Sequence, residues 1–205
     1  ALADFSIATL GPVYSVMLFH RRPWEELGGA AVAVTPQSAT SVELLRVLLA
    51  AEGRSADLVP TPGSLDDMLD AAGAALLIGD AALSEAVRHL QPRQDGPVAR
   101  GASGRSVVDP DLYVTDLGER WYRLTRLPFT FAVWASRHDR PPPPDLLRRF
   151  RAARADGLGR LAEVAAVEAR RLGLPTWVVQ RYLENFRYHL EPPDRDGLEE
   201  FAARV

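Results

Sequence analysis

The sequence predicts an α/β fold, and three observations carry that reading. Short runs of apolar and β-branched residues alternate with helix-period segments over residues 14–90. Apolar residues make up 47% of the 205-residue chain, enough for a real core. After Pro144 the pattern turns helical as far as Val205, so an α/β section is followed by a helical one.

The elements follow in order. Tyr14-Ser15-Val16-Met17-Leu18-Phe19-His20 is a compact run of β-formers and predicts a buried strand. Pro23 to Gly29 reads as a short turn or helical turn closed by glycines. Ala31 to Thr35 is a second strand, and Thr40 to Ala51 a helix whose end is marked by Gly53. Leu58-Val59-Pro60 is a short extended piece. Leu65 to Asp70 is a helix with Ser64 as its cap. Ala74 to Ile78 is a buried strand that ends at Gly79-Asp80, and Ala81 to Leu90 is the helix after it. Gln91 to Pro110 is polar and rich in Gly, Pro and Arg, as loops are. Asp116 to Tyr122 reads as helical, and Phe129 to Ala135 as a buried strand. Pro141 to Pro144 is a rigid extended connector. From Asp145 onward every segment reads as helix, broken at Gly173-Leu174-Pro175 and at Glu191-Pro192-Pro193. Leu146, Leu147, Phe150, Leu161, Val164, Trp177, Tyr182 and Phe186 recur at helical spacing, which predicts that they are buried against another lobe.

Strand–helix alternation over residues 31–90 predicts a parallel layer, and ligands of such sheets gather at the carboxyl ends of strands. Two strand ends there carry polar groups. One is the stretch Thr35 to Ser41, where Ser38, Thr40 and Ser41 stand at a helix start. The other is Gly79-Asp80. The first turn of a helix has N–H groups without intrahelical partners at the positive end of its dipole, so hydroxyls added there make a socket for a carboxylate or phosphate. Capping accounts for the same residues. Thr40 and Glu43 fit a capping box, Ser38 or Thr35 serves equally as a cap, and Asp80 suits an N-cap.

Composition removes whole classes of chemistry. The chain has no cysteine, hence no thiol nucleophile, thiolate metal site or disulfide. All 24 basic residues are arginine, so no lysine can form a Schiff base. His20, His89, His138 and His189 stand far apart, and no paired helical metal motif exists. There is no Gly-rich phosphate loop and no nucleophile elbow. A net charge of −3 gives no basic field, which argues against nucleic acid as a partner. No apolar run reaches bilayer length, so no membrane span is expected. The start shows no signal-peptide pattern, and its first residue is Ala1 rather than Met.

Five segments then occur in a telling order: Gly11 to Phe19, Thr35 to Val42, Ala75 to Leu83, Asp116 to Trp121, and Leu127 to Ala135. Together they resemble chorismate dehydratase of the futalosine route to menaquinone. The resemblance implies a two-lobed fold similar to type II periplasmic binding proteins, with a parallel-rich sheet, C-terminal helices and the ligand between the lobes. Residues 14–136 would form the lobe with the binding rim, and residues 1–13 and 137–205 the remainder of the other lobe. It further implies a cytoplasmic enzyme without metal or organic cofactor. Such an enzyme removes water from chorismate, a dicarboxylate, to give 3-[(1-carboxyvinyl)oxy]benzoate. A homodimer is compatible with it.

The expected substrate-binding residues are Ser38, Ala39, Thr40, Ser41, Gly79 and Asp80, with Ser6 and Ser15 beside the lobe crossing as weaker candidates. The hydroxyls and amides after Val34 are expected to hold a carboxylate, and Asp80 or nearby backbone the ring hydroxyl. The family pattern has an additional N-terminal segment ahead of the matched region, which completes one lobe and supplies the base. Arg126 stands where a small residue is expected, either as a surface feature or as a group that narrows the cleft. Two rivals remain: a solute-binding or sensor protein for a small carboxylate, and the 1,4-dihydroxy-6-naphthoate synthase of the same pathway.

Overall fold

A computed structural model describes residues 4–36, 39–91, 103–137 and 139–205. Ser38 and His138 therefore lie outside the described residues, as does most of the expected loop over 91–110. The described chain forms two sheets. β1 (Phe5–Thr9) enters the smaller one, and the chain then crosses to the larger with β2 (Val16–His20). A 3-10 turn at Trp24–Glu26 precedes β3 (Ala31–Val34), α1 (Ala39–Ala50), β4 (Asp57–Pro60), α2 (Leu65–Ala72), β5 (Ala74–Ile78) and α3 (Gly79–Leu90). β6 (Gly104–Arg105), β7 (Tyr113–Asp116) and α4 (Leu117–Thr125) complete the large-sheet part. The chain returns with β8 (Phe129–Val133) and continues through α5 (Pro144–Gly159), α6 (Leu161–Leu172), α7 (Thr176–Glu184), β9 (Arg187–His189) and α8 (Pro192–Arg204).

The large sheet has the order β4-β3-β5-β2-β7-β6 and the small one β8-β1-β9. Parallel pairing joins β3 to both β4 and β5, as the strand–helix alternation predicts. The sheet as a whole is mixed rather than parallel-rich, because β2 enters from the small sheet and runs against both β5 and β7. The chain is back in the small sheet at β8, which pairs with β1, Ile7 opposite Ala132.

Both faces of the large sheet are covered, which explains why its strands read as continuous apolar runs rather than alternating ones. Val16 and Leu18 of β2 pack with Leu44, Leu45 and Leu48 of α1 and Trp121 of α4, while Met17 and Phe19 pack on the other face with Met68 of α2 and Ala82 and Ala86 of α3. Burying a side chain of this size contributes about 1.5–3 kcal/mol. Ser64 caps α2 as expected, in a capping box with Asp67.

Four strands escaped the sequence reading: β1, β6, β7 and β9. β6 and β7 are short, β6 within the stretch read as loop, and β9 lies inside the segment read as all helix; it pairs with β1, Phe5 opposite His189. Its three residues carry no period, and its partner is distant in sequence. The apolar face expected to be buried after Pro144 is only half-buried, and Val164 is 43% exposed. The tightly packed residues are instead Ala165 and Ala169 of α6 and Val179 of α7, small groups that let the two helices approach closely. Several of the larger side chains, Phe150, Leu161 and Val164 among them, line an apolar cavity of about 450 Å³ against Phe5.

One carboxyl group organises the crossing between sheets. Asp116 is fully buried at the end of β7. It accepts the N–H groups of Val13 (2.9 Å) and Tyr14 (2.7 Å) from the crossing and of Glu119 (3.0 Å) from the first turn of α4. Burial pushes its pKa up to about 7, while the three N–H donors pull the other way. Tyr14 is held at φ +61°, a conformation that needs such support outside glycine. Gly118 lies so near that a Cβ there would sit 2.7 Å from the Gly11 carbonyl oxygen.

Asp116→Ala leaves those donors without their acceptor. A loss of about 3 kcal/mol or more is expected in urea unfolding, and a change under about 1 kcal/mol would remove Asp116 from this role. Gly197 of α8 lies against β8, where a Cβ would meet the Pro128 carbonyl oxygen at 2.0 Å. Gly197→Ala should therefore lower the thermal midpoint, by an amount equivalent to about 1–3 kcal/mol, because backbone and not a flexible side chain must give way.

Candidate functional site

A cavity of about 340 Å³ lies where the two sheets meet. On the large-sheet side its walls are Val16 of β2, the first turn of α1 with Ala39, Thr40 and Ser41, and the end of β5 with Ile78 and Gly79. On the other side are Ile7 of β1, Phe131 of β8, and Tyr182 of α7 with Phe186 just beyond it. Val13 and Ser15 of the crossing close it.

Two helix N-termini therefore open on one space. α1 has no acidic residue in its first turn, so nothing there neutralises the positive end of its dipole. The helix begins at Ala39, one residue earlier than the sequence suggests. Thr40 lies within the first turn and is not the cap, so its capping box with Glu43 does not form. Thr40 is exposed and Ser41 is 7% exposed; among the described residues neither hydroxyl has a hydrogen-bond partner. α3 likewise begins earlier than expected, at Gly79. Ile78 takes the cap position and supplies no side-chain hydrogen bond. Gly79 adopts φ +64°, which glycine tolerates at the sharp strand-to-helix turn, and its N–H donates to the Ser15 carbonyl at 2.8 Å.

Of the residues expected at a site, the fold brings Ser15, Ala39, Thr40, Ser41 and Gly79 to this one cavity. It does not bring Asp80 there. Asp80 follows the turn but points outward, and its carboxylate pairs with Arg171 of α6 at 2.7 Å. Ser6 lines the other, apolar cavity, and its hydroxyl donates to the Arg187 carbonyl at 3.3 Å. Ser38 lies outside the described residues. Arg126 is exposed at the C-terminal end of α4 and does not line the cavity. It sits at φ +63°, a position glycine fills without strain, which is the physical sense of a small residue there.

The sequence reading missed the aromatic side of the cavity. Tyr182 and Phe186 entered it only as members of a packing face, and Phe131 only as part of a strand. Tyr182 donates its O–H to Ser15 Oγ at 3.1 Å, across 167 residues of sequence. Burial raises the Tyr182 pKa, so its phenol keeps its proton at neutral pH. Phe186 meets the Tyr182 ring edge-on at a centroid distance of 5.0 Å. Asn185, between α7 and β9, donates to the Pro12 carbonyl at 2.6 Å and ties this segment to the crossing. Among the described residues that line the cavity, none carries a charge. The walls thus offer hydroxyl donors and helix N-termini on one side and aromatic faces on the other. That combination suits a small anionic ring compound.

Comparison with known proteins agrees in direction. A family model described as menaquinone biosynthesis matches residues 1–205. Chorismate dehydratase from Thermus thermophilus is 47% identical over 201 residues, which are 98% of this chain and 71% of that protein. With the whole of its length matched and nearly half of the aligned residues identical, the chain belongs to the menaquinone biosynthesis family.

Proposed function

We propose that this protein is a chorismate dehydratase, a hydro-lyase that removes water from chorismate to give 3-[(1-carboxyvinyl)oxy]benzoate in the cytoplasm. One observation carries the reading. A cavity that joins two helix N-termini to an aromatic wall occurs in a chain 47% identical to chorismate dehydratase. The excursion from β1 through the large sheet and back to β8 supports a two-lobed fold similar to type II periplasmic binding proteins, with the cavity between the lobes.

The chemistry sets what the site must do. The C3–H and C4–O bonds break, the ring becomes aromatic, and the proton and hydroxide leave as water. As the C3 proton departs, negative charge spreads through the conjugated ring onto its carboxylate. Donors fixed at that carboxylate therefore act most strongly where charge builds up. Thr40, Ser41 and the first-turn amides of α1 take that role in this reading, and Phe131 and Phe186 hold the ring. The base is assigned to none of the lining side chains, because among the described residues none of them is a carboxylate or imidazole.

Incubation of the full-length protein with chorismate should yield a product lighter by one water, detected by mass spectrometry. Chorismate that binds and stays unchanged would instead favour the solute-binding reading. Among the described residues no three metal-ligating side chains cluster, and prior treatment with a chelator should leave turnover unchanged; activity that returns only with added metal would contradict this. Thr40→Ala combined with Ser41→Ala should weaken binding of both chorismate and the product by about tenfold or more, since a lost donor to a charged group costs roughly 1.5–3 kcal/mol. Unchanged kinetics in that variant would leave these hydroxyls no part in binding.

A further inference from the structure

The reacting hydroxyl of chorismate needs a partner, and Asp80, the sequence's candidate, is turned away toward Arg171. On the α5–α8 side, the cavity wall is apolar at Phe131 and Phe186; the polar atom this side contributes is the Tyr182 hydroxyl. Its present partner is the Ser15 hydroxyl, whose own contact to the Val13 carbonyl is long at 3.5 Å. Both oxygens are thus weakly committed and face a shared space. A phenol and an alcohol together can donate to, and accept from, a third hydroxyl, which is the recognition an alcohol requires and a carboxylate does not. The edge-on contact with Phe186 fixes the phenol ring, so the geometry is set before a ligand arrives.

We infer that Tyr182, paired with Ser15, binds the ring hydroxyl of the substrate and so distinguishes chorismate from its own dehydration product. The assignment rests on the chorismate reading of the cavity. The hydroxyl that leaves is thereby held beside two O–H groups rather than against an aromatic face. The same pair releases the product, which keeps both carboxylates but lacks the hydroxyl that the pair recognises.

The two ligands make the test. In the full-length protein, Tyr182→Phe should lower kcat/KM for chorismate by about tenfold or more, while the inhibition constant of 3-[(1-carboxyvinyl)oxy]benzoate stays within about twofold. Ser15→Ala provides a second route to the same split if the tyrosine variant folds poorly. Equal losses for chorismate and product would show a wall or folding role and overturn the inference, as would unchanged values for both. If the unaltered protein neither dehydrates chorismate nor binds the product, the chorismate reading itself fails, an outcome separate from either result with the variants.

Discussion

The cavity exists because a buried carboxyl group at Asp116 holds the chain where it passes from the small sheet to the large one. Three N–H groups from two different segments converge on it, two from the crossing and one from α4. A buried polar group costs stability unless its hydrogen bonds are made, so this group and its donors require one another. The crossing in turn fixes Ser15, and Ser15 meets both the N–H of Gly79 at the start of α3 and the hydroxyl of Tyr182. The path from a β7 carboxyl to the cavity wall thus runs through a few hydrogen bonds of ordinary length.

The two sides of the cavity do different physical work. The large sheet supplies direction: β3 and β5 run parallel and deliver α1 and α3 with their N-termini toward the same space. The other side supplies shape, through aromatic rings whose edge-on contacts hold them in place. Phe129 packs on Trp121 and on Phe201 of α8, and Phe131 on Phe129, so the wall is continuous with the core between the sheets. Among the described residues that line the cavity there is no arginine, so in the proposed reading an anion is held by the positive end of α1 and by hydroxyls. Such donors are aimed in advance at a carboxylate and suit charge that grows during a reaction.

What could be read from the sequence follows the range of the interactions involved. The units β3–α1 and β5–α3 were legible because a buried apolar run followed by a helix-period segment is a local signal. So was the Ser64 cap, which lies three residues from its partner Asp67. β9 was not legible, since three residues in an otherwise helical stretch show their pairing only against β1. Thr40, Ser41 and Gly79 could be found as polar groups at strand ends, whereas Asp80 carries the same signal and turns outward to Arg171. Tyr182 had no local signal at all. Its spacing placed it on a packing face, and only the fold brings it to a serine 167 residues away.

The most direct test is a crystal structure of the full-length protein with 3-[(1-carboxyvinyl)oxy]benzoate bound. The account predicts one carboxylate within hydrogen-bonding distance of Thr40, Ser41 or the first-turn amides of α1, with the benzoate ring against Phe131 and Phe186. Product seated in the apolar cavity beside Phe5 and Phe150, or anywhere other than between the two sheets, would contradict it.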